Sequence, residues 1–529
     1  MATRRDELNA YTFARKRTIA AFLQPSAAGT DEAAPRPVRA VLPGLVAGAV
    51  VLAGFGAWGI FKPKAPAGWS TPGAHVIVGS QSTTRYVVME TQGVRRLHPV
   101  LNFSSAKLLL DPGKSSVIKV EESELDNGKL QRGATLGIPY APDRLPTEGD
   151  AGTKKSWAVC EQPGGGGKTV QKAVFLLAAR EADKAGGKAQ LKEGQALYVE
   201  GPAGDRYLVA PDGTKHLIGS GGTPSASTDG SDGDGSGGTT GSSARDQVLR
   251  RSLFSEGAQA QKVTKDWLAT LHDGTPITFP QVPGRIGDKA GIGSLDPRLD
   301  KVGTVIQAVA GKGVQQYVVL PGKVAPVSDL VARLLLTSPD AVSLGQNARA
   351  AEVAPQSFTS SQEWFYGKYG WPKLVPSQAN DPASGRGTVC NVLHDVDGKG
   401  TAELTTWAGP RYPAQILDGA TSAYVTPGSG LLYRQFSGAS PSTGSLFLVT
   451  DTGLRYAVQT NNDSSTKRSA IGDDGKQSDP QEQAGEASQA QIRLGYKDVK
   501  PVPVPAAWSE FLPKGPRLDA NSARQPQSS

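Results

Sequence analysis

The sequence predicts an α+β protein: a single N-terminal transmembrane helix followed by an elongated extracytoplasmic region of four strand-meander/helix repeat units around a central β-rich domain. Three observations predict it. Ala40 to Phe61, AVLPGLVAGAVVLAGFGAWGIF, carries no charged side chain over about 22 positions, long enough to cross a bilayer. Beyond it, an aromatic-led apolar strand, a glycine turn and a second strand recur four times. Between the copies stand strand-rich blocks that carry the two cysteines.

Residues 1–39 form the predicted cytoplasmic arm. Leu8, Tyr11, Ala14 and Phe22 fall roughly at helical spacing with basic residues between them, the pattern of an amphipathic helix near a membrane or a partner, and Pro25 with the following polar segment breaks it. Over 40–61 a helix rising ~1.5 Å per residue spans ~33 Å, and in hydrocarbon only a helix or a closed barrel satisfies its own backbone groups. A cleaved secretory signal is the competing reading. Against it, about 40 residues precede the run, its apolar core is longer than a signal's, and no A-x-A-like site follows. Arg4, Arg5, Arg15, Lys16, Arg17, Arg36 and Arg39 precede the helix, and only Lys62 and Lys64 follow closely. The positive-inside rule then keeps the N-terminus in the cytoplasm and carries everything after Phe61 outside, a single pass through the plasma membrane. Gly44 and Gly48 form a G-x-x-x-G pair and Ala49, Ala53 and Ala57 share four-residue spacing, so a second helix could pack closely here; ordinary glycine enrichment is the alternative.

The copies are Arg85-Tyr86-Val87-Val88 with Gly93 and Leu97, Arg206-Tyr207-Leu208-Val209 with Gly213 and Leu217, Gln316-Tyr317-Val318-Val319 with Gly322, and Leu446-Phe447-Leu448-Val449 with Gly453 and Tyr456. Helix candidates follow two of them, from Asn102 (NFSSAKLLLD) and Ser328 (SDLVARLLLT), each a polar cap before leucines. The expected boundaries are repeat unit 1 at 62–135, the first segment of the central domain at 136–200, unit 2 at 201–275, unit 3 at 276–345, the second central segment at 346–430 and unit 4 at 431–513. A Gly/Ser/Asp-rich insertion at 219–243 and a polar one at 461–488 lack the apolar residues that would repay ordering. Residues 514–529 read as a tail.

At 529 residues the chain exceeds one hydrophobic core, and 64 Gly with 38 Pro predict many turns and short strands. The net charge of +8 includes the basic arm, and no basic stripe interleaved with aromatics marks a nucleic-acid surface. Anionic lipid head groups near the arm and anionic envelope polymers outside are the better candidates. Cys160 and Cys390 both fall outside the reducing cytoplasm on this topology, so one disulfide is expected.

Chemistry is sparse. Gln162 to Thr169, QPGGGGKT, resembles a P-loop, in which glycine-rich backbone cradles phosphates while the lysine and hydroxyl reach phosphate and magnesium. Gly167, Lys168 and Thr169 match, but Gln162 stands where the first glycine belongs. A helix over VQKAVFLLA would keep the nucleotide reading open; a glycine turn between strands is the alternative. Asp232 to Ser243 opens like a calcium loop but ends in serine where glutamate is needed. Ser464 to Lys467 gives S-x-x-K without its companions. The five histidines, His75, His98, His216, His272 and His394, lack metal-ligand spacing and read as surface or structural residues. Neither a metal nor a cofactor is expected.

RRDELNAYTFARKR before the membrane helix, W-x-x-P-G at Trp69 to Gly73, RYVVMETQGVRRLHPVLNFSSAKLLL, and LGYKDVKPVPVPAAWSEFLPKGPRLD from Leu494 to Asp519 resemble the EccB component of the actinobacterial type VII secretion (ESX) system over nearly the whole chain. The resemblance implies a subunit organising the outer side of a membrane complex for protein export, self-associating and working with the EccC ATPase, EccD, EccE and the mycosin protease. It also implies repeat units around a disulfide-tied central domain. EccB proteins are sometimes called ATPases, and Gln162 interrupts the only motif here that could support that. An ATP hydrolase of the same system and a peptidoglycan-binding protein are the rival readings.

Overall fold

In the computed structural model, described for residues 3–23, 37–61, 65–91, 93–114, 116–164, 169–219, 244–311, 313–416, 422–459, 470–471 and 488–527, two helices precede a sheet-rich region. The proline break after Phe22, Gly167, Lys168, the insertion from 220 to 243, the calcium-like loop and the S-x-x-K stretch lie outside the described residues. Helix α1 (Arg4–Leu23) is exposed throughout nearly all its length. Leu8, Tyr11, Ile19 and Phe22 are more than two-fifths exposed, and at 100° per residue Arg15 falls among them, so its amphipathic face is imperfect. Helix α2 (Pro37–Phe61) begins three residues earlier than the apolar run, contains Pro43, and is apolar enough to cross a membrane over Val41–Gly59.

Four small sheets follow, and they share one connection order. In unit 1, β1 (His75–Gly79), β2 (Arg85–Thr91) and β3 (Val94–Pro99) form an antiparallel meander. Helix α3 (Phe103–Leu109) then returns the chain to β4 (Ser116–Val120), parallel to β1, and helix α4 (Glu122–Leu125) leads to β5 (Gln131–Arg132), parallel to β3. A helix α5 (Glu148–Ala151) precedes the first central hairpin, β6 (Ser156–Gln162) and β7 (Gln171–Leu177).

Unit 2 repeats the order with β8 (Gln195–Glu200), β9 (Arg206–Val209), β10 (Thr214–Leu217), α6 (Ala244–Leu253), β11 (Gln261–Lys262), α7 (Lys265–Leu268) and β12 (His272–Asp273). Unit 3 does so with β13 (Val305–Ala310), β14 (Gly313–Leu320), β15 (Lys323–Val327), α8 (Asp329–Thr337) and β16 (Ala351–Glu352). After β17 (Ser377–Gln378), which pairs with β8, the chain supplies β18 (Thr388–Val396), β19 (Ala402–Gly409) and β20 (Ala423–Val425) to a central sheet of order β19-β18-β6-β7-β20. Unit 4 comprises β21 (Leu431–Phe436), β22 (Ser445–Val449), β23 (Arg455–Val458), a two-residue strand β24 (Ala470–Ile471) lent to β2, α9 (Gln489–Leu494), β25 (Val502–Pro505), α10 (Ala506–Ser509) and α11 (Ala520–Arg524).

The four sequence copies are the middle strands β2, β9, β14 and β22, and their glycines, Gly93, Gly213, Gly322 and Gly453, all turn at φ between +72° and +78°. Only glycine holds that conformation without strain. The predicted caps also form: Asn102 and Ser328 accept from the amides of Ser105 and Val331.

Helices pair the units. Helix α3 packs on α9 and α11, and α6 packs on α8. One core joins units 1 and 4 through Leu108, Leu109, Leu448 and Leu494, another joins units 2 and 3 through Leu249, Leu253, Leu330 and Leu334. A third binds the central sheet to units 2 and 4 through Trp157, Trp267, Tyr433 and Trp508. The spatial order is therefore 1, 4, centre, 2, 3, and each fully buried Leu or Val contributes about 1.5–3 kcal/mol to it.

Three expected boundaries are corrected. Strand β8 belongs to unit 2, with Leu197 opposite Val209, so that unit starts before 201. Unit 3 continues past 345, because Ala351 pairs with Ile306 and Ser360 with Val324. Residues 514–527 are not a tail: Lys514 pairs with Arg455, Leu518 with Val458 and Pro526 with Leu136, while Leu518 and Ala523 are buried in the core shared by units 1 and 4 and Ala520 is buried as well. The segment reads as polar because its buried apolar residues are few and two of them are alanines. Within the polar insertion at 461–488, Ala470–Ile471 runs beside Glu90 and Thr91.

Candidate functional site at the unit junctions

Cys160 on β6 and Cys390 on β18 are directly opposite one another, fully buried, and joined at 2.02 Å. The bond ties sheet neighbours that are 230 residues apart in sequence, with units 2 and 3 emerging from the loop it closes. Beside it, Glu161 is fully buried and accepts from the amide of Thr264 at 2.9 Å and from the Thr264 hydroxyl. Thr264 in turn caps α7. Burial pushes the Glu161 carboxyl up, opposed by these hydrogen bonds and by Lys172. Lys172 pairs with Asp266 at 2.6 Å, and a cavity of about 310 Å³ opens where they meet Glu510 and Phe511, so centre, unit 2 and unit 4 converge there.

Two further junctions are polar. Asp150 on α5 receives Lys155 Nζ at 3.0 Å, Ser429 Oγ at 3.0 Å and the Gly430 amide at 2.7 Å, which fixes the entry to unit 4. Where α3 meets α9, each helix sends a cation to the other's C-terminal carbonyls. Lys107 Nζ donates to Leu494 O at 3.0 Å, and Arg493 Nη1 donates to Leu108 O at 3.2 Å and to Leu110 O. Cations at helix C-termini meet the negative end of the dipole. Burial, reinforced by Arg524, pulls Arg493 down to about 10, with Asp111 opposing.

The chain that follows the P-loop-like stretch is a strand. Gln162 and Gln171 are cross-strand partners, and Gln162 Nε2 donates to Gln171 Oε1 at 2.5 Å. A phosphate-binding loop opens a helix, whereas VQKAVFLL enters strand β7. Thr169 is exposed. Among the described residues no group of His, Cys, Asp and Glu could hold a metal. His98 and His216 are buried, each bonding through Nδ1 to a backbone carbonyl at 2.9 Å. Gly44 and Gly48 lie on the exposed surface of α2, with open space where a Cβ would stand. The sequence reading missed Glu161, Arg493, Lys107 and Asp150. For Glu161, Arg493 and Lys107 a charged residue inside an apolar run, as in SWAVCEQ or QAQIRLGY, was the available signal, whereas Asp150 stands in the polar stretch TEGDAGT, which offered none.

Residues 1–528 match the family described as Type VII secretion system ESX-1, transport TM domain B. Over 519 residues the chain is 26% identical to the ESX-3 secretion system ATPase EccB3 of Mycobacterium tuberculosis strain H37Rv, covering 92% of this chain and 82% of the relative. It is 25% identical to the ESX-1 secretion system ATPase EccB1 of the same organism over 445 residues, 79% of each chain. The fold is similar to a chain of the intact ESX-5 inner membrane complex, with TM-score 0.55, 20% identity and coverage of 100% and 96%. The EccB3 dimer from the ESX-3 core complex gives TM-score 0.55 at 22% identity, covering 85% and 99%. With the family matched from end to end and the fold shared with its solved members, the chain belongs to the EccB family of type VII secretion membrane components.

Proposed function

We propose that this chain is a single-pass structural subunit of a type VII secretion inner membrane complex, with α1 in the cytoplasm and the sheet-bearing region on the outer face. The observation that carries the reading is the whole-chain family match, combined with a covalently closed, helix-paired array. The basic flank before α2 and the disulfide both favour the outward placement. Self-association and contact with EccC, EccD and EccE type subunits and the mycosin protease follow from the same reading, since the related solved structures are an ESX-5 membrane complex and an EccB3 dimer. Packing of a second helix on Gly44 and Gly48 belongs to it as well. Relatives carry the word ATPase in their names; here the strand after the glycine turn speaks against a nucleotide site, and the export energy belongs to another subunit. Protease added to intact spheroplasts tests the placement: degradation of the sheet-bearing region with α1 spared is expected, and protection of that region would refute it.

A further inference from the structure

Each of the five sheets has two end strands, and an end strand presents a row of unpaired backbone donors and acceptors that native proteins shorten, interrupt with proline or cover. Strands β5, β11, β12 and β16 are two residues long and β20 is three. Strand β25 carries Pro503 and Pro505. Strand β15 is covered by Ser360 beside Val324 and by the Phe365 amide on Pro326 O, and β23 by Lys514 beside Arg455 and Leu518 beside Val458. On β19, Thr406 O accepts from the Leu191 amide and the Thr406 amide donates to Pro211 O. That leaves β4 of unit 1, SVIKV, five residues without proline that no described strand pairs with on the side away from β1.

The register identifies the open groups. The Ser80 amide donates to Val120 O, so Ser116, Ile118 and Val120 turn their backbone groups toward β1, and Val117 and Lys119 turn theirs outward. Val117 is 49% exposed, and Lys119, the only charged residue of the strand, is exposed as well. The strand also stands close to the membrane helix. Ala65, four residues after the end of α2, and Trp69 pack against the small core that Ile118 joins, so at most ~14 Å of extended chain separates α2 from this unit.

We infer that β4 takes an extended segment of a partner protein by strand addition, with a carboxylate of that segment set against Lys119 and an apolar residue against Val117. Main-chain hydrogen bonds supply the affinity in this mode and the side-chain positions the selectivity. Opposite charges directly across a strand pair stabilise it and like charges destabilise it. A second copy is the poorer occupant: pairing β4 with β4 about a two-fold axis sets Lys119 against another Lys119 or an uncharged residue of the strand, never against a carboxylate. The short tether to α2 keeps the partner's segment near the membrane surface.

Backbone amide hydrogen exchange of the full chain in detergent micelles tests the inference, with the blocked hexapeptide TVTETV at millimolar concentration as probe. Exchange across residues 116–120 slowed about tenfold is expected, with no slowing by the same peptide N-methylated throughout. Lys119→Glu, a change at an exposed position, should reverse the preference, so that TVTKTV protects the strand and TVTETV does not. Lack of protection by TVTETV, equal protection by the N-methylated peptide, or an unchanged preference in Lys119→Glu would overturn the inference. Protection already present without peptide would give the edge to this chain's own residues or, where it falls on dilution, to a second copy, and would overturn it too. The assay needs neither a bilayer nor other subunits, so its failure is separate from failure of the subunit reading, on which the presence of a partner rests.

Discussion

Gly133, Gly274 and Gly515 each lie beneath a ring on the third strand of their unit: His98, His216 and Tyr456. In all three the glycine amide donates to the carbonyl one residue before the ring. In unit 3 the same hydrogen bond runs from Ser361 to Val324, the next residue is Ala325, and no glycine is needed. Gly274→Ala would place a Cβ 2.5 Å from the His216 ring and 2.7 Å from Thr214 Cγ2, so a loss of about 1–3 kcal/mol is expected by thermal melting, partly relieved in His216→Ala/Gly274→Ala. The rings also set a pH dependence. Burial holds His98 and His216 below the usual 6.5, so the unfolded chain binds the extra protons, and the stability present above pH 6.5 is lost as pH falls through the folded values. Melting between pH 7 and 5 should show the decline, and His98→Phe/His216→Phe should flatten it, Tyr456 already showing that an aromatic ring fits. Arg493→Leu would strip Leu108 O and Leu110 O of a donor, a loss of about 1–3 kcal/mol by the same measurement. None of these pairings was legible in the sequence, because ring and glycine come from strands separated by a helix and loops of varying length.

At the scale of elements, the sequence was most readable where one local rule decided the outcome. The four glycine turns and the caps at Asn102 and Ser328 follow from backbone sterics and orphan amides, and each formed where its residues stood. The parallel strands β5, β11, β12 and β16 are only two residues long, too short for any periodicity, and exist because a neighbouring strand offers hydrogen bonds; this hid the true end of unit 3, whereas the start of unit 2 was missed because β8 precedes the aromatic-led copy that marked the unit. The glycine-rich turn is the instructive case. Its composition fits a phosphate loop, but the pairing of β7 with β6 along its whole length makes it a hairpin connection. Lys168→Ala should therefore change neither magnesium-ATP calorimetry nor stability beyond ~0.5 kcal/mol; micromolar ATP binding lost on that substitution would refute the hairpin reading. Cys160→Ser should lower the melting temperature markedly, since opening the 230-residue separation releases on the order of 5 kcal/mol of chain entropy on the unfolded side.

Across the whole molecule, the chain crosses the array and returns. Unit 1 leaves the membrane helix, the central sheet closes over units 2 and 3, and unit 4 comes back to pack on unit 1, sealed by residues 514–527. Deletion from Lys514 onward should loosen the α3–α9 junction, seen as faster proteolysis near α3 and a lower melting temperature, where a loose tail would leave both unchanged. An array fixed at both ends of the chain suits a scaffold, whose task is to hold partners at set distances. Affinity purification of the tagged full chain from detergent-extracted native membranes tests whether it is built into a type VII secretion membrane complex. Co-elution with EccC, EccD and EccE type subunits in one high-mass species is the predicted result. A chain that elutes alone, with those subunits assembled in a separate fraction, would contradict it.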